Sequence, residues 1–160
     1  MPKKKVAFHR LLFVRKSIIR TLTNNLKKKL QMSFLAKLIV DGQEYNVMHC
    51  IYSFEQPMDH TGKPSGKPRG GQIMITLESQ GKFDLFHWMA EPEQTKDGSI
   101  VFYKRDAMSR LQEVSFNKAY CVSLEEEFDA NDDIPMQKRI VISAKTISIG
   151  DMNFENHWGE

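Results

Sequence analysis

Residues 32–160 of this 160-residue chain read as a mainly β domain, a sandwich or small barrel of short strands with one short helix. Three observations predict this. Apolar and polar residues alternate with a period of two along most of the segment, turn residues recur between the alternating runs, and a single stretch repeats its apolar residues at helical spacing. Short strands at regular spacing with turns between them are the pattern of sandwiches and barrels, where each strand buries one face.

The elements follow in chain order. Leu35–Val40 is an apolar run ending at Asp41-Gly42, a pair that favours the left-handed backbone of a two-residue hairpin turn. In the return strand, Tyr45, Val47, His49 and Ile51 fall on one face and Asn46, Met48, Cys50 and Tyr52 on the other. Both faces are partly apolar, so both are expected to touch something. Gln72–Ser79 alternates again, with Ile73, Ile75 and Leu77 opposing Gln72, Met74, Thr76 and Glu78. Phe83, Phe86 and Ala90, together with Leu85, Trp88 and Met89, predict a helix over about 83–91. Pro92 ends it, because the residue before a proline resists the helical region. A helix apolar nearly all round is expected to plug an open end or side of a barrel, with Phe86, Trp88 and Met89 in the core rather than in a ligand pocket. Ile100–Arg105, Val114–Phe116 and Tyr120–Glu125 are three further strands, with turns at Lys96-Asp97-Gly98 and Asn117-Lys118. Met136–Ile149 alternates longest, with Lys138, Ile140, Ile142 and Ala144 opposing Arg139, Val141, Ser143 and Lys145. Strands of this length are uncommon, so it is expected to bend or bulge near its middle.

Length and composition exclude several classes. A chain of 160 residues with 41% hydrophobic residues suits one domain with a tail and can build a core without covalent staples. Cys50 and Cys121 are too few for a disulfide scaffold. No run approaches the ~18 apolar residues of a membrane span. The net charge of +3 hides two unlike segments. Residues 1–31 carry ten bases and no acid, which leaves 13 bases against 20 acids in residues 32–160, a net of −7. Arg10, Arg15 and Lys16 interrupt the apolar run that a cleavable signal peptide would need. A transit peptide, a membrane-surface helix and a basic arm for nucleic acid all share that composition. Met32-Ser33-Phe34-Leu35 looks like a start where charge and pattern both change, so we read residues 1–31 as a basic leader, disordered or translated from an early start.

The segment Glu55–Gly71 stands apart, with Pro57, Pro64 and Pro68 and four glycines in seventeen residues. Loops this long inside a compact domain are usually functional or disordered. Lys63, Lys67 and Arg69 make it locally positive on an acidic domain, so an acidic surface is expected to meet it. Motifs with chemistry fail on inspection. Gly62-Lys63-Pro64-Ser65-Gly66-Lys67-Pro68 is one residue short of a phosphate-binding loop, and Pro68 stands where Ser or Thr must hold magnesium. Asp129-Ala130-Asn131-Asp132-Asp133 starts like a calcium loop, but Ile134 replaces the glycine of the sharp turn and Ile140 the bidentate glutamate. His49 and Cys50 are adjacent on a strand and point to opposite faces, which separates a nucleophile from its base. The five histidines lack metal-ligand spacing. We therefore expect no catalytic, cofactor-binding or metal-binding residue and no enzyme activity.

Five collinear segments carry a family resemblance: MSFLAKLIVDGQEYNV (32–47), YSFEQPMDHTGKPSGKPRGG (52–71), LFHWMAEP (85–92), DGSIVFYKRD (97–106) and ISAKTISIGDMNFENHW (142–158). Together they resemble Hcp, the tube protein of the bacterial type VI secretion system, in its Bacteroidota branch. The resemblance implies a small β-barrel of about six to eight antiparallel strands with one short helix, assembling as a hexameric ring. It further implies that rings stack head to tail into a tube, which a contractile sheath expels and which carries effectors in its channel. The partners implied are other copies of the chain and the sheath, spike and effector proteins, without nucleic acid or membrane insertion. The location implied is cytoplasmic before firing and the medium or a target cell afterwards. By position, the family's stacking loop corresponds to residues 56–70, so Gln56, Met58, His60, Lys63, Lys67 and Arg69 are candidate interface residues. Glu125, Glu126, Asp132 and Asp133 are candidate acidic partners on a neighbour. The alternative from the residues alone is a nucleic-acid-binding small barrel that uses the basic arm and the 56–70 loop on phosphates, with affinity falling steeply with salt.

Overall fold

The computed structural model describes residues 35–104 and 109–158. The basic leader expected over residues 1–31 lies outside the described residues. Among the described residues, seven strands and one helix run in the order β1 (Ala36–Val40), β2 (Gln43–Tyr52), β3 (Gln72–Glu78), α1 (Asp84–Ala90), β4 (Lys96–Tyr103), β5 (Arg110–Phe128), β6 (Met136–Ile149) and β7 (Met152–Glu155). The strands form one sheet in the order β3-β2-β1-β4-β5-β6-β7, and an additional β3–β6 pairing closes six of them into a barrel. Every pairing is antiparallel. The mainly β reading is borne out, and of its two options the barrel is the one adopted.

Closure depends on the length of β6. Gln137–Ser143 pairs with β3, while Thr146–Ile149 pairs with β7, and β5 runs along the opposite edge of both halves. The buried residues of β6 are Lys138, Ile140, Ile142 and Ala144, as the alternation predicts, and then the phase shifts to Ile147. The bulge expected near the middle of this strand falls instead in its partner β5, between Cys121 and Ser123, and what changes in β6 is the buried face, where β3 hands over to β7. Leu38, Ile73, Ile75, Ile100, Val114, Phe116, Ile140 and Ile142 are all fully buried inside the barrel. Burying one such aliphatic side chain stabilises the fold by roughly 1.5–3 kcal/mol.

Asp41 (φ 50°) and Gly42 (φ 72°) both take the left-handed conformation, as the hairpin turn between β1 and β2 requires. Four other expectations are corrected. First, β2 carries a bulge between Val47 and His49. The extra residue flips the alternation, so Cys50 and Tyr52 follow Tyr45 and Val47 onto the core while His49 and Ile51 face outward. Second, Lys96-Asp97-Gly98 is the irregular start of β4 rather than a turn. Third, Asn117-Lys118 is not a turn either, but lies within a single 19-residue β5 that joins two predicted strands. These two irregularities face each other: Lys118 has φ 47°, and its N–H donates to Asp97 Oδ1 at 2.8 Å. Fourth, α1 buries Leu85 and Trp88 and packs Met89 on the core, but Phe83 is 71% and Phe86 49% exposed. The helix caps the barrel with one stripe and leaves the other outside. Trp88 Nε1 donates to the Gln94 carbonyl at 3.2 Å, which satisfies its buried N–H.

Candidate subunit interface

The Glu55–Gly71 segment is a folded hairpin arm between β2 and β3. Glu55 and Arg69 exchange both backbone hydrogen bonds, at 2.9 and 2.7 Å. Asp59 N–H donates to the Lys63 carbonyl at 2.9 Å and Ser65 N–H to the Pro57 carbonyl at 2.9 Å. Gln56 Nε2 donates to the Gly66 carbonyl at 2.9 Å. At the tip, Asp59 Oδ1 accepts from the Thr61 N–H at 2.8 Å, the Thr61 hydroxyl at 2.7 Å and the Lys63 N–H at 3.1 Å. The Thr61 hydroxyl and these backbone N–H groups hold the Asp59 carboxyl below its ordinary value, because they favour the charged form. The prolines break up the ladder and the local bonds replace it, so the arm keeps its shape while exposing nearly every residue.

The arm presents Met58, 69% exposed, with His60, Lys63, Lys67 and Arg69 around it. Among the described residues, these three bases make no ion pair within the subunit. The proposed acidic partners lie elsewhere. Glu125 pairs with Arg139 at 2.9 Å. Glu126 accepts from the Ser79 hydroxyl at 2.6 Å and lies 3.5 Å from the buried Lys138 Nζ. Asp132 accepts from Gln137 Nε2 at 2.9 Å, and Asp133 is exposed beside it in the β5–β6 turn. Phe128 and Met136 are exposed large apolar residues at the same hairpin.

Two relationships organise these surfaces. The arm enters β3 at Gln72, whereas the acidic hairpin sits at the other end of that strand, where Ser79 N–H donates to the Met136 carbonyl at 3.0 Å. A seven-residue strand separates those ends by roughly 20 Å. Between them, the outer face of β2, β3 and β6 carries the register row Ile51–Met74–Val141, with Ile51 and Met74 exposed. This four-stranded patch, completed by β5, has two edges without a strand partner among the described residues. β1 reaches only Gln43–Asn46 of β2, and β4 pairs with β5 no further than Ala119.

Sequence reasoning placed Ile51 on the wrong face and missed what holds the arm. Asn156 Nδ2 donates to the Gly70 carbonyl at 3.2 Å and the Ala144 carbonyl at 2.9 Å. The Gly70-Gly71 pair was the available signal, since adjacent glycines mark close approach or a positive φ, and Gly71 has φ 90°. A polar cleft of about 420 Å³ opens at the arm's foot, lined by Ser53, Glu55, Arg69, Gln72, Ser143 and Trp158 among others.

The geometry defines a class: a closed six-stranded antiparallel barrel with an outlying strand, a capping helix and a projecting hairpin arm. Comparison with known proteins narrows it. The family model for hemolysin coregulated protein Hcp (TssD) matches residues 32–159, and the chain belongs to that family. Hcp1 from Flavobacterium johnsoniae is 43% identical with a TM-score of 0.74, covering 77% of this chain and 100% of its own. That match supports the Bacteroidota branch expected from the sequence. Hcp1 from Salmonella typhimurium is 16% identical with a TM-score of 0.61, covering 72% of this chain and 85% of its own. A type VI secretion system effector from Yersinia pestis is 9% identical with a TM-score of 0.57, covering 76% of this chain and 99% of its own. The last two share the fold. No curated protein sequence matches the chain.

Proposed function

We propose that this chain is the structural subunit of a type VI secretion tube: six copies close into a ring, and rings stack head to tail through the arm. The observation that carries this reading is the placement of the basic arm and the acidic β5–β6 hairpin at opposite ends of β3. Complementary surfaces at opposite ends cannot meet within one subunit. They meet on successive copies, and a head-to-tail contact that does not return on itself produces a filament. The two unpartnered edges of the four-stranded patch support closure around the ring, because an open edge is satisfied by a neighbour's strand.

In this reading the subunit does no chemistry. Lys63, Lys67 and Arg69 steer the next ring, Met58 and Gln56 fill the contact, and Glu125, Asp132 and Asp133 receive the bases. Glu125 and Asp132 meet the bases as second partners beside Arg139 and Gln137, whereas Glu126, which also serves the buried Lys138, contributes field rather than a direct bond. The tube is made in the cytoplasm, is expelled by a sheath with a spike at its tip, and carries effectors in its channel. Negative-stain electron microscopy of Lys67→Glu/Arg69→Glu tests the stacking step. Rings that no longer form tubes are expected, and tubes like those of the unaltered protein would refute it.

A further inference from the structure

The arm is held from outside itself. Its rising strand places Phe54 against Phe154 of β7, with ring centroids 4.9 Å apart. Its descending strand ends at Gly70-Gly71, where the Gly70 carbonyl accepts from Asn156 Nδ2 and the Gly71 carbonyl accepts from the Ala144 N–H at 2.8 Å. Asn156 is itself fixed, since its backbone N–H donates to the Lys145 carbonyl at 2.7 Å and Nδ2 also reaches the Ala144 carbonyl. Two residues on, Trp158 packs against Tyr120 of β5 at 5.6 Å. The fit leaves no slack: a Cβ on Gly71 would lie 1.8 Å from Asn156 Nδ2, and one on Gly70 would lie 2.4 Å from the Phe54 ring.

We propose that residues 152–158 form a strap that sets the aim of the arm, with Asn156 as its positioning residue. This rests on reading the arm as the stacking contact. Both feet of the arm meet the strap, one through an aromatic pair and the other through an amide that bridges the arm to β6. The arm's own hydrogen bonds fix its internal shape but not its angle to the barrel. Asn156 supplies that angle because its two N–H groups join the Gly70 and Ala144 carbonyls, which belong to different elements. The strap thereby decides whether the bases of one ring arrive over the acids of the next.

Asn156→Asp in the full chain is the direct test. The carboxylate keeps the shape and has no N–H to donate to the two carbonyls. Phe154→Leu, which keeps the strap apolar, is the milder second variant. The expected result is a melting temperature lowered by no more than a few degrees, with amide exchange about tenfold faster at Ala144, whose N–H ties the Gly71 carbonyl at the arm's foot to β6; tenfold is the factor one ordinary hydrogen bond represents. Tubes should shorten or vanish while rings persist. Amide exchange like that of the unaltered protein in both variants would overturn the inference. Lys67→Glu/Arg69→Glu, run beside them, separates the two ideas. If it abolishes tubes while both strap variants form normal ones, the strap is wrong and the stacking contact stands. If it leaves tubes intact, the stacking contact is wrong, and the exchange rates alone decide the strap.

Discussion

Lys138 Nζ lies inside one end of the barrel, 3.0 Å from the Lys82 carbonyl and 3.5 Å from Glu126 Oε1. It is the buried charged residue among the described residues, reached because the inward alternation of β6 continues one step past Ile140. A buried ammonium without partners is costly, and here a carboxylate and a carbonyl offset that cost. Glu126, a third exposed at its side chain, stands on the adjacent strand for this purpose and also accepts from Ser79.

Lys138→Ala should therefore destabilise the subunit by about 1–3 kcal/mol, since it leaves the Lys82 carbonyl without its donor and Glu126 without its cation. Lys138→Met should cost less, because it refills the volume with an apolar chain. Urea unfolding of both variants checks the order.

The place where β1, β4 and β5 meet is equally constrained. A Cβ on Gly98 would lie 2.5 Å from the Ile39 carbonyl oxygen and 2.6 Å from Phe116 Cζ. Gly98→Ala should destabilise by about 1–3 kcal/mol, the usual cost of overpacking against backbone. Thermal melts should show the loss, while Ile140→Ala, which opens a cavity instead, should cost about 2–5 kcal/mol.

Burial pushes both thiols, Cys50 and Cys121, up to about 11, because the thiolate is disfavoured away from water. At pH 8 both should resist alkylation in the folded subunit and react quickly once denatured, as mass spectrometry would record. The sign for stability follows. The folded state prefers the protonated thiol, so this contribution is complete below the ordinary value of 9.0 and is lost as pH rises toward about 11.

At the arm's tip the sign reverses. The folded Asp59 carboxyl titrates below its ordinary value, so the order it confers is present above that value and is lost as pH falls through the depressed one. Protection of the Thr61 and Lys63 amides, taken relative to their intrinsic exchange rates at each pH, should fall on acidification, and Asp59→Ala should show the low protection already at neutral pH.

The outer row should matter only in assembly. Met74→Glu places a charge on an exposed face, so the isolated subunit should fold with a change within about 0.5 kcal/mol. Ring formation, read by analytical ultracentrifugation, should fall if that face packs against a neighbour. Normal rings would place the row outside the ring contact.

The sequence by itself determined the β class, the hairpin turn at Asp41-Gly42, the helix at 84–90, the inward residues of β3 and the first half of β6, and the family. These depend on local periodicity or on strings of residues, which a linear reading holds. Tertiary structure alone decided three matters. The bulge beyond Val47 sent Ile51 outward, because the pairing with β3 rather than any residue type inserts the extra position. Asp97 met Lys118 across two strands, turning two predicted turns into facing irregularities within β4 and β5. Asn156 reached Gly70 from 86 residues away and held the foot of the arm. Contacts of that separation form only when the barrel closes, since the β3–β6 pairing is what brings both ends of the chain segment to one place.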